Sequence, residues 1–270
     1  MKVKMVLAYD GSEFHGFAVN QGVPTVAGTL TEAISTVVRR PVTLTGAGRT
    51  DAGVHAWGQV VSLELPDGTD LDDLTRRLNK LCATAIAVRS AERVTDDFDA
   101  RFSARRRHYR YEIWNAASPN PVLATRTWHV AVPLDVEAMR AATTSLLGEH
   151  DFSSFCRRPK VASGDPPRSL VRRVIEAHWT DATTAFCGAQ CTDSVRAAPQ
   201  NATAERLLRF EICANAFCHQ MVRSIVGTLV DVGSGKLLAG DVPAIIAARD
   251  RSSAGSVAPP HGLTLWEVGY

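Results

Sequence analysis

Gly46-Ala-Gly-Arg-Thr-Asp-Ala-Gly-Val-His-Ala-Trp-Gly58 is flanked by Pro41–Thr45 on one side and Gln59–Leu65 on the other. Both flanks are β-branched or alternate apolar with polar residues, so both read as strands, and the spacing lets Gln59–Leu65 pair with Val42–Thr45 as a hairpin. Glycines 46, 48, 53 and 58 let the backbone between them approach a ligand or another segment closely. One carboxylate, Asp51, stands near the middle, with Arg49, Thr50 and His55 beside it. Asp and Thr in such a loop serve turn capping. Loops on rigid scaffolds are also where reactive groups are presented. The pattern by itself leaves both readings open.

Outward from this loop, residues 3–9 alternate and end in the turn signal Asp10-Gly11. Thr29-x-x-Glu32 has the form of a capping box, and Leu30, Ala33, Ile34, Val37 and Val38 keep helical spacing behind it. A second helix is predicted over Leu71–Cys82, with Asp70 as N-cap and Leu71, Leu74, Leu78 and Leu81 as its apolar stripe. A short strand at Ile86–Arg89 follows. Residues 1–100 therefore read as an α+β subdomain with helices on one face of an antiparallel sheet.

Residues 101–270 read as a second subdomain. Arg101, Arg105, Arg106, Arg107 and Arg110 crowd its start. From His108 the pattern alternates, with Tyr109, Tyr111 and Ile113 on one face and His108, Arg110, Glu112 and Trp114 on the other. Aromatics mixed with arginines on a strand suit a surface where unstacked bases lie, although tyrosines are also common on half-buried strands. A helix is predicted over 135–147, carrying Val136, Met139 and Leu146, with Gly148 as its C-cap. Residues 156–168 form a basic loop holding Arg157, Arg158, Lys160 and Arg168, and 170–179 returns to a strand. Residues 181–204 lack a clear period and read as an irregular insertion near a hairpin tip. After a strand at 207–213, Phe217, Met221, Ile225 and Leu229 line up on one helix face, with Gly227 permitting close packing. His219 and Arg223, four apart, share a different face of that helix. Asp241-Val-Pro243 opens a last helix with Pro at N1, and Leu263–Val268 is the closing strand.

The chain has 270 residues, 45% hydrophobic and 21% charged, the balance of a globular protein with a substantial core. No long apolar run suggests a signal peptide or membrane span, so a cytoplasmic location is expected. Six cysteines include no Cys-x-x-Cys pair, and the Cys187-x3-Cys191 and Cys213-x4-Cys218 spacings are poor zinc templates; reduced thiols and no metal are expected. The net charge is only +2, so any nucleic-acid binding must come from local arginine clusters.

Several segments resemble one family. Gly48-Arg-Thr-Asp-Ala-Gly-Val-His-Ala56 is similar to the signature of tRNA pseudouridine synthase A, the TruA family. Tyr9-Asp-Gly-Ser12 matches another of its segments, with Phe17-Ala18-Val19 where many members have Trp-Gln-Arg. Ala100-Arg-Phe-Ser-Ala104 followed by Arg107-His-Tyr-Arg-Tyr111 resembles its second motif, and Gly148–Phe155 a third. Ala214-Asn-Ala-Phe-Cys-His-Gln-Met-Val-Arg223 resembles the last.

The resemblance implies two RNA-recognition-like (ferredoxin-like) α/β sandwich halves, their antiparallel and mixed sheets merged around a central active-site cleft. It implies an isomerase acting as a homodimer, without cofactor, on uridines 38 to 40 in the anticodon stem-loop of tRNA. Asp51 is then the nucleophile, Tyr109 packs on the target uracil, and Arg223 partners Asp51. Arg49, Thr50, His55, Arg101, Arg105, Arg106, Arg107 and His219 are candidate substrate contacts, the arginines as phosphate holders. Two other classes compete. An RNA-binding module of the same fold without activity would fit the Phe17-Ala18-Val19 departure. A glycosidic hydrolase would need a second carboxylate near Asp51, and the nearest in sequence, Glu64, lies on a strand.

Overall fold

The computed structural model describes residues 1–157, 169–184 and 205–270. The expectations for Arg158, Lys160, Arg168, Cys187 and Cys191, and for the insertion from 185 to 204, lie outside the described residues. The chain divides into two compact units, Met1–His108 with Thr264–Tyr270, and Tyr109–Leu263.

In the first unit β1 (Lys2–Tyr9) pairs antiparallel with β3 (His55–Glu64) on one side and with β4 (Ile86–Arg93) on the other. The β1–β3 register runs from Lys2↔Glu64 to Leu7↔Gln59 and shifts before Tyr9↔Ala56, next to the glycine-rich loop. Alternate residues Val3, Met5, Leu7 and Tyr9 of β1 are buried, as a strand with one covered face requires. The first helix, α1 (Val26–Val38), starts earlier than its capping-box signal suggested. Thr25, in extended backbone, accepts from Gly28 N–H and caps the helix one turn upstream of Thr29, because Val26 and Ala27 gain burial by being helical. Helix α2 (Leu71–Leu81) is capped by Asp70, which accepts from Asp72 and Asp73 N–H. Its stripe narrows to Leu74 and Leu78; Leu81 ends the helix exposed. These two leucines, with Leu30 and Ile34 of α1, lose nearly all exposure to solvent, worth about 1.5–3 kcal/mol each.

The expected hairpin is almost absent. β2 is only Thr45–Gly46, paired with Ser62 and Val61, while residues 41–44 lie outside any strand. That edge of β3 is shared with the C-terminal strand β10 (Leu263–Gly269), whose Thr264 and Leu265 run parallel to His55 and Ala56.

In the second unit, β5 (Arg106–Asn115), which the chain enters from the first, neighbours β9 (Arg206–Ala214), followed by β8 (Val171–Asp181) and β7 (Gly148–Asp151). A short β6 (Trp128–Val130) runs parallel to the end of β5. Tyr109, Tyr111 and Ile113 are buried, as the alternation predicts. Trp114 is buried as well, because it packs with Ala116, Ala182 and Leu207 and donates its indole N–H to the Ser118 carbonyl (3.0 Å). On the face opposite the tyrosines, Arg110 is ion-paired with Glu211, and Arg209 with Glu112 (2.7 Å). The two tyrosines and Arg110 of β5 therefore occupy opposite faces, while Trp114 shares the face of Arg110.

Helix α3 is shorter than expected, Val136–Thr143, and continues as a 3-10 turn at Thr144–Leu146. Gly148 does not cap it but opens β7 at φ 95°, paired with Val174. Helix α4 (Met221–Gly233) packs against α3 and starts later than expected, because Gln220 takes a left-handed conformation (φ 63°) that ends the preceding turn. Phe217 and His219 therefore precede the helix instead of lying on it. The expectation for Gly227 holds: a Cβ there would stand 1.7 Å from the Ser256 carbonyl oxygen. In α5 (Asp241–Ala248) Pro243 is the third residue rather than the first. No helix among the described residues is long and apolar enough to cross a membrane.

Candidate active site

The loop carrying Asp51 is gripped through its backbone from several directions. The Asp51 carbonyl accepts from Val54 N–H (3.2 Å), closing a turn in which Gly53 takes φ 77°, a conformation costly for any other residue. Phe17 N–H donates to the Thr50 carbonyl (3.0 Å) and Ala47 N–H to the Val60 carbonyl (2.8 Å). A Cβ on Gly11 would lie 2.1 Å from the Val54 carbonyl oxygen, and Gly16 (φ 98°) lies against the Thr50 carbonyl. The Tyr9-Asp-Gly turn therefore needs glycine because the Asp51 loop presses on it. Phe17 is buried against Gly46, where a Cβ would come within 2.4 Å of its ring.

Thr50 is buried, its hydroxyl 2.8 Å from the Tyr9 phenol. The Gln59 amide donates to the same phenol (3.4 Å) and to the Gly48 carbonyl (2.9 Å). Burial pushes the Tyr9 phenol up to about 12, only partly offset by its hydrogen bonds to Thr50 and Gln59, so it stays a neutral strut beneath the loop. His55 is buried at the start of β3; its Nδ1 lies 3.1 Å from Gly11 N–H and 3.2 Å from an Asp10 carboxylate oxygen. A bare Nδ1 accepts from Gly11, whereas a protonated one pairs with Asp10. Either way the ring ties the end of β1 to the start of β3. Asp51 itself is half-buried, and Arg49 beside it is exposed.

Arg107 differs from its neighbours. Its guanidinium donates to the carbonyls of Ala47 (2.9 Å), Arg101 (2.9 Å) and Ala104 (3.2 Å), so it fastens the 101–104 turn to the start of the Asp51 loop. Arg101, Arg105 and Arg106 are exposed, with Arg106 3.2 Å from Glu267.

In the second unit Tyr109 is buried edge-on against Phe217, ring centroids 5.1 Å apart. Arg223, in the first turn of α4, donates from Nε to the Ala258 carbonyl (2.7 Å), and its own carbonyl accepts from Ala258 N–H (3.1 Å). The Tyr111 phenol donates to the next carbonyl, Pro259 (2.8 Å). Burial holds that phenol well above its usual range, and the Arg223 guanidinium pulls it back down. His219 is exposed, and its carbonyl accepts from Arg157 N–H (3.0 Å). Beside it Cys156 is hydrogen-bonded to Cys218; that bond, with burial, raises the Cys156 thiol, and the same bond lowers the Cys218 thiol. Cys82, Cys156, Cys213 and Cys218 form no disulfide, and no cluster of metal-binding side chains occurs among the described residues.

Sequence reasoning passed over Gly16 and Gln59, and read Tyr9 and Gly11 only as strand end and turn; all four support the Asp51 loop. Their only local signal was glycine beside a turn, since the partners of Tyr9 are forty-one and fifty positions away in the chain.

A carboxylate held in a glycine-rich loop between strands, with exposed arginines nearby, is what both the sequence and the fold present. The family model described as tRNA pseudouridine synthase matches residues 5–103 and 142–270. The chain is therefore an isomerase of that class, one that turns uridine in tRNA into pseudouridine. Relatives named tRNA pseudouridine synthase A are 37% identical over 99% of this chain and 99% of theirs (Acetivibrio thermocellus), 36% over 100% and 99% (Bacillus licheniformis), and 40% over 100% and 99% (Rhodopseudomonas palustris). The chain belongs to the tRNA pseudouridine synthase A family.

Proposed function

We propose that the chain acts on the anticodon stem-loop of tRNA, at uridines 38 to 40, with Asp51 as nucleophile. The observation that carries this is the Asp51 loop itself: backbone hydrogen bonds and close glycine packing fix a half-buried carboxylate within a sequence matching the family signature. The reaction breaks N1–C1′, turns the base and forms C5–C1′; N1 gains the proton that C5 loses, so atoms balance and no redox partner is required. A positioned carboxylate meets that need by attack or by stabilising the cation that develops when the glycosidic bond opens.

In this reading Tyr109 supplies the surface on which the everted uracil stacks, its ring held upright by Phe217. Unstacking a base costs a few kcal/mol, and an aromatic platform returns about 1–3 kcal/mol. Arg223 is assigned as the positive partner of Asp51 on the family motif; within its own unit its Nε donates to the Ala258 carbonyl. Arg49, Arg101, Arg105 and Arg106 take phosphates, with His219 a further substrate group. Thr50, His55 and Arg107 set the loop in place, each committed to a neighbour in its own unit. The working form is a homodimer in the cytoplasm.

The test is to incubate the protein with tRNA carrying 5-tritiated uridine and to map the modified positions. Tritium release with pseudouridine at 38, 39 or 40 and an unbroken chain is expected. Modification confined to another arm would overturn the anticodon assignment, and binding without release would return the chain to an inactive RNA-binding module. Replacing Arg105 and Arg106 together by alanine is expected to lower the slope of log affinity against log salt by about 0.7–0.9 for each phosphate no longer neutralised. An unaltered slope would make them ordinary solvated charges.

A further inference from the structure

Among the described residues Phe102 is the most exposed aromatic, with 81% of its surface open to solvent. Single exposed apolar residues are ordinary on protein surfaces. What sets this one apart is the rigidity of the turn that presents it. The Asp99 carboxylate accepts from the backbone N–H of Arg101 (2.8 Å) and of Phe102 itself (2.9 Å). Ser103 donates its N–H to the Asp99 carbonyl (2.9 Å), and its hydroxyl accepts from Asp99 N–H (3.1 Å). Tyr270 donates to the Ala100 carbonyl (2.8 Å), and Ala100 N–H to the Ser62 hydroxyl (3.0 Å). A flexible tip would hold an exposed phenyl ring at random; here the backbone on both sides is pinned.

The surroundings give the ring a charge context. The Arg101 guanidinium stands 5.5 Å from the ring centre, and the exposed Arg105 and Arg106 follow within four residues. An aromatic face between cations is the combination that binds single-stranded nucleic acid, with bases on the ring and phosphates on the guanidinium groups. The turn also shares a frame with the reactive loop, because Arg107 bridges the Arg101 carbonyl to that of Ala47, four residues before Asp51.

We propose that Phe102 is a stacking platform for an unpaired base of the substrate tRNA, one beside the target uridine rather than the target itself. The proposal rests on the reading that the substrate is the anticodon stem-loop, whose loop offers unpaired bases close to the target. Phe102 fixes the register of the strand relative to Asp51, while Arg101, Arg105 and Arg106 hold the phosphates on either side of the stacked base.

The experiment measures kcat and KM on full-length tRNA for the intact protein and for Phe102→Ala, Phe102→Leu and Phe102→Trp, with modified positions mapped for each. Stacking requires a flat ring, so alanine and leucine are expected to raise KM about 10-fold, the size one stacked base contributes. Tryptophan is expected to restore the original value. The salt slope of binding should not move in any of them, in contrast to the arginine variants, because every phosphate keeps its cation. The melting temperature should also hold, since the side chain is exposed. If leucine performs like phenylalanine, the ring acts only as bulk and the stacking role is wrong. Unchanged KM in all three variants, with the intact protein still modifying positions 38 to 40, would overturn this inference and leave the functional reading intact. Failure of the intact protein to modify the anticodon arm would instead remove the functional reading and this inference with it.

Discussion

Replacing Asp51 by asparagine is expected to abolish tritium release while leaving tRNA affinity within a few-fold of the original. The carboxylate and the amide have nearly the same shape, so the loop keeps its turn. The backbone hydrogen bonds that hold it run through the Asp51 and Thr50 carbonyls and the Ala47 N–H, which the substitution leaves in place. Removing the nucleophile of a covalent mechanism costs on the order of 10⁴-fold or more in kcat. In the proposed reading binding comes from arginines and aromatic surface elsewhere, and uniform binding survives removal of the reacting group. The measurement is single-turnover release of label together with filter binding of the same tRNA. Turnover within ten-fold of the original would take Asp51 out of the mechanism; failure of both binding and turnover would make it structural.

The second large effect concerns stability. Gly227→Ala is expected to destabilise the protein by about 3 kcal/mol or more, at the upper end of what overpacking a tight interior costs. Its new Cβ would meet the Ser256 carbonyl oxygen at 1.7 Å and the carbonyl carbon at 2.9 Å, both backbone atoms that no rotamer change can move aside. Either α4 or the segment from Ser256 to Ala258 must shift. That segment carries the Ala258 carbonyl that receives Arg223 Nε, so the displacement reaches a proposed catalytic group one turn away. Thermal unfolding should show a fall in Tm of roughly 6 °C or more for a chain of this size. The surviving folded fraction should also show a lowered kcat. A melting curve superimposable on that of the original protein would mean that the helix and segment have slack that the geometry denies.

Several helices were legible where the local signal was unambiguous. Asp70 ahead of a leucine-spaced run gave α2 to within a residue, because the cap and the apolar period agree. Where two signals compete, local reasoning misplaced the boundary. Thr25 and Thr29 both offer a hydroxyl for capping, and the burial of Val26 and Ala27 decides in favour of Thr25. Phe217 keeps helical spacing with Met221, yet Gln220 in left-handed backbone separates them. For the site, the loop from 46 to 58 announced itself through glycine content and a single carboxylate. Phe102 did not stand out, because exposure depends on packing and an Ala-Arg-Phe-Ser run carries no mark of it. Arg107 read as one arginine among several, and only its three carbonyl partners distinguish a fastener from a phosphate holder.

Sequence by itself determined the alternating strands, the main helices, the glycine-rich loop and the family to which the chain belongs, because these depend on periods and motifs carried by neighbouring residues. Tertiary structure alone decided that the last strand lies parallel to β3, that Gly11 meets Val54 and that Gly227 meets Ser256. It also decided that Arg107 ties the 101–104 turn to the Asp51 loop. Each of these joins segments distant in the chain, and such pairings are selected by packing and hydrogen-bond satisfaction over the whole unit, for which no short window of residues holds the information.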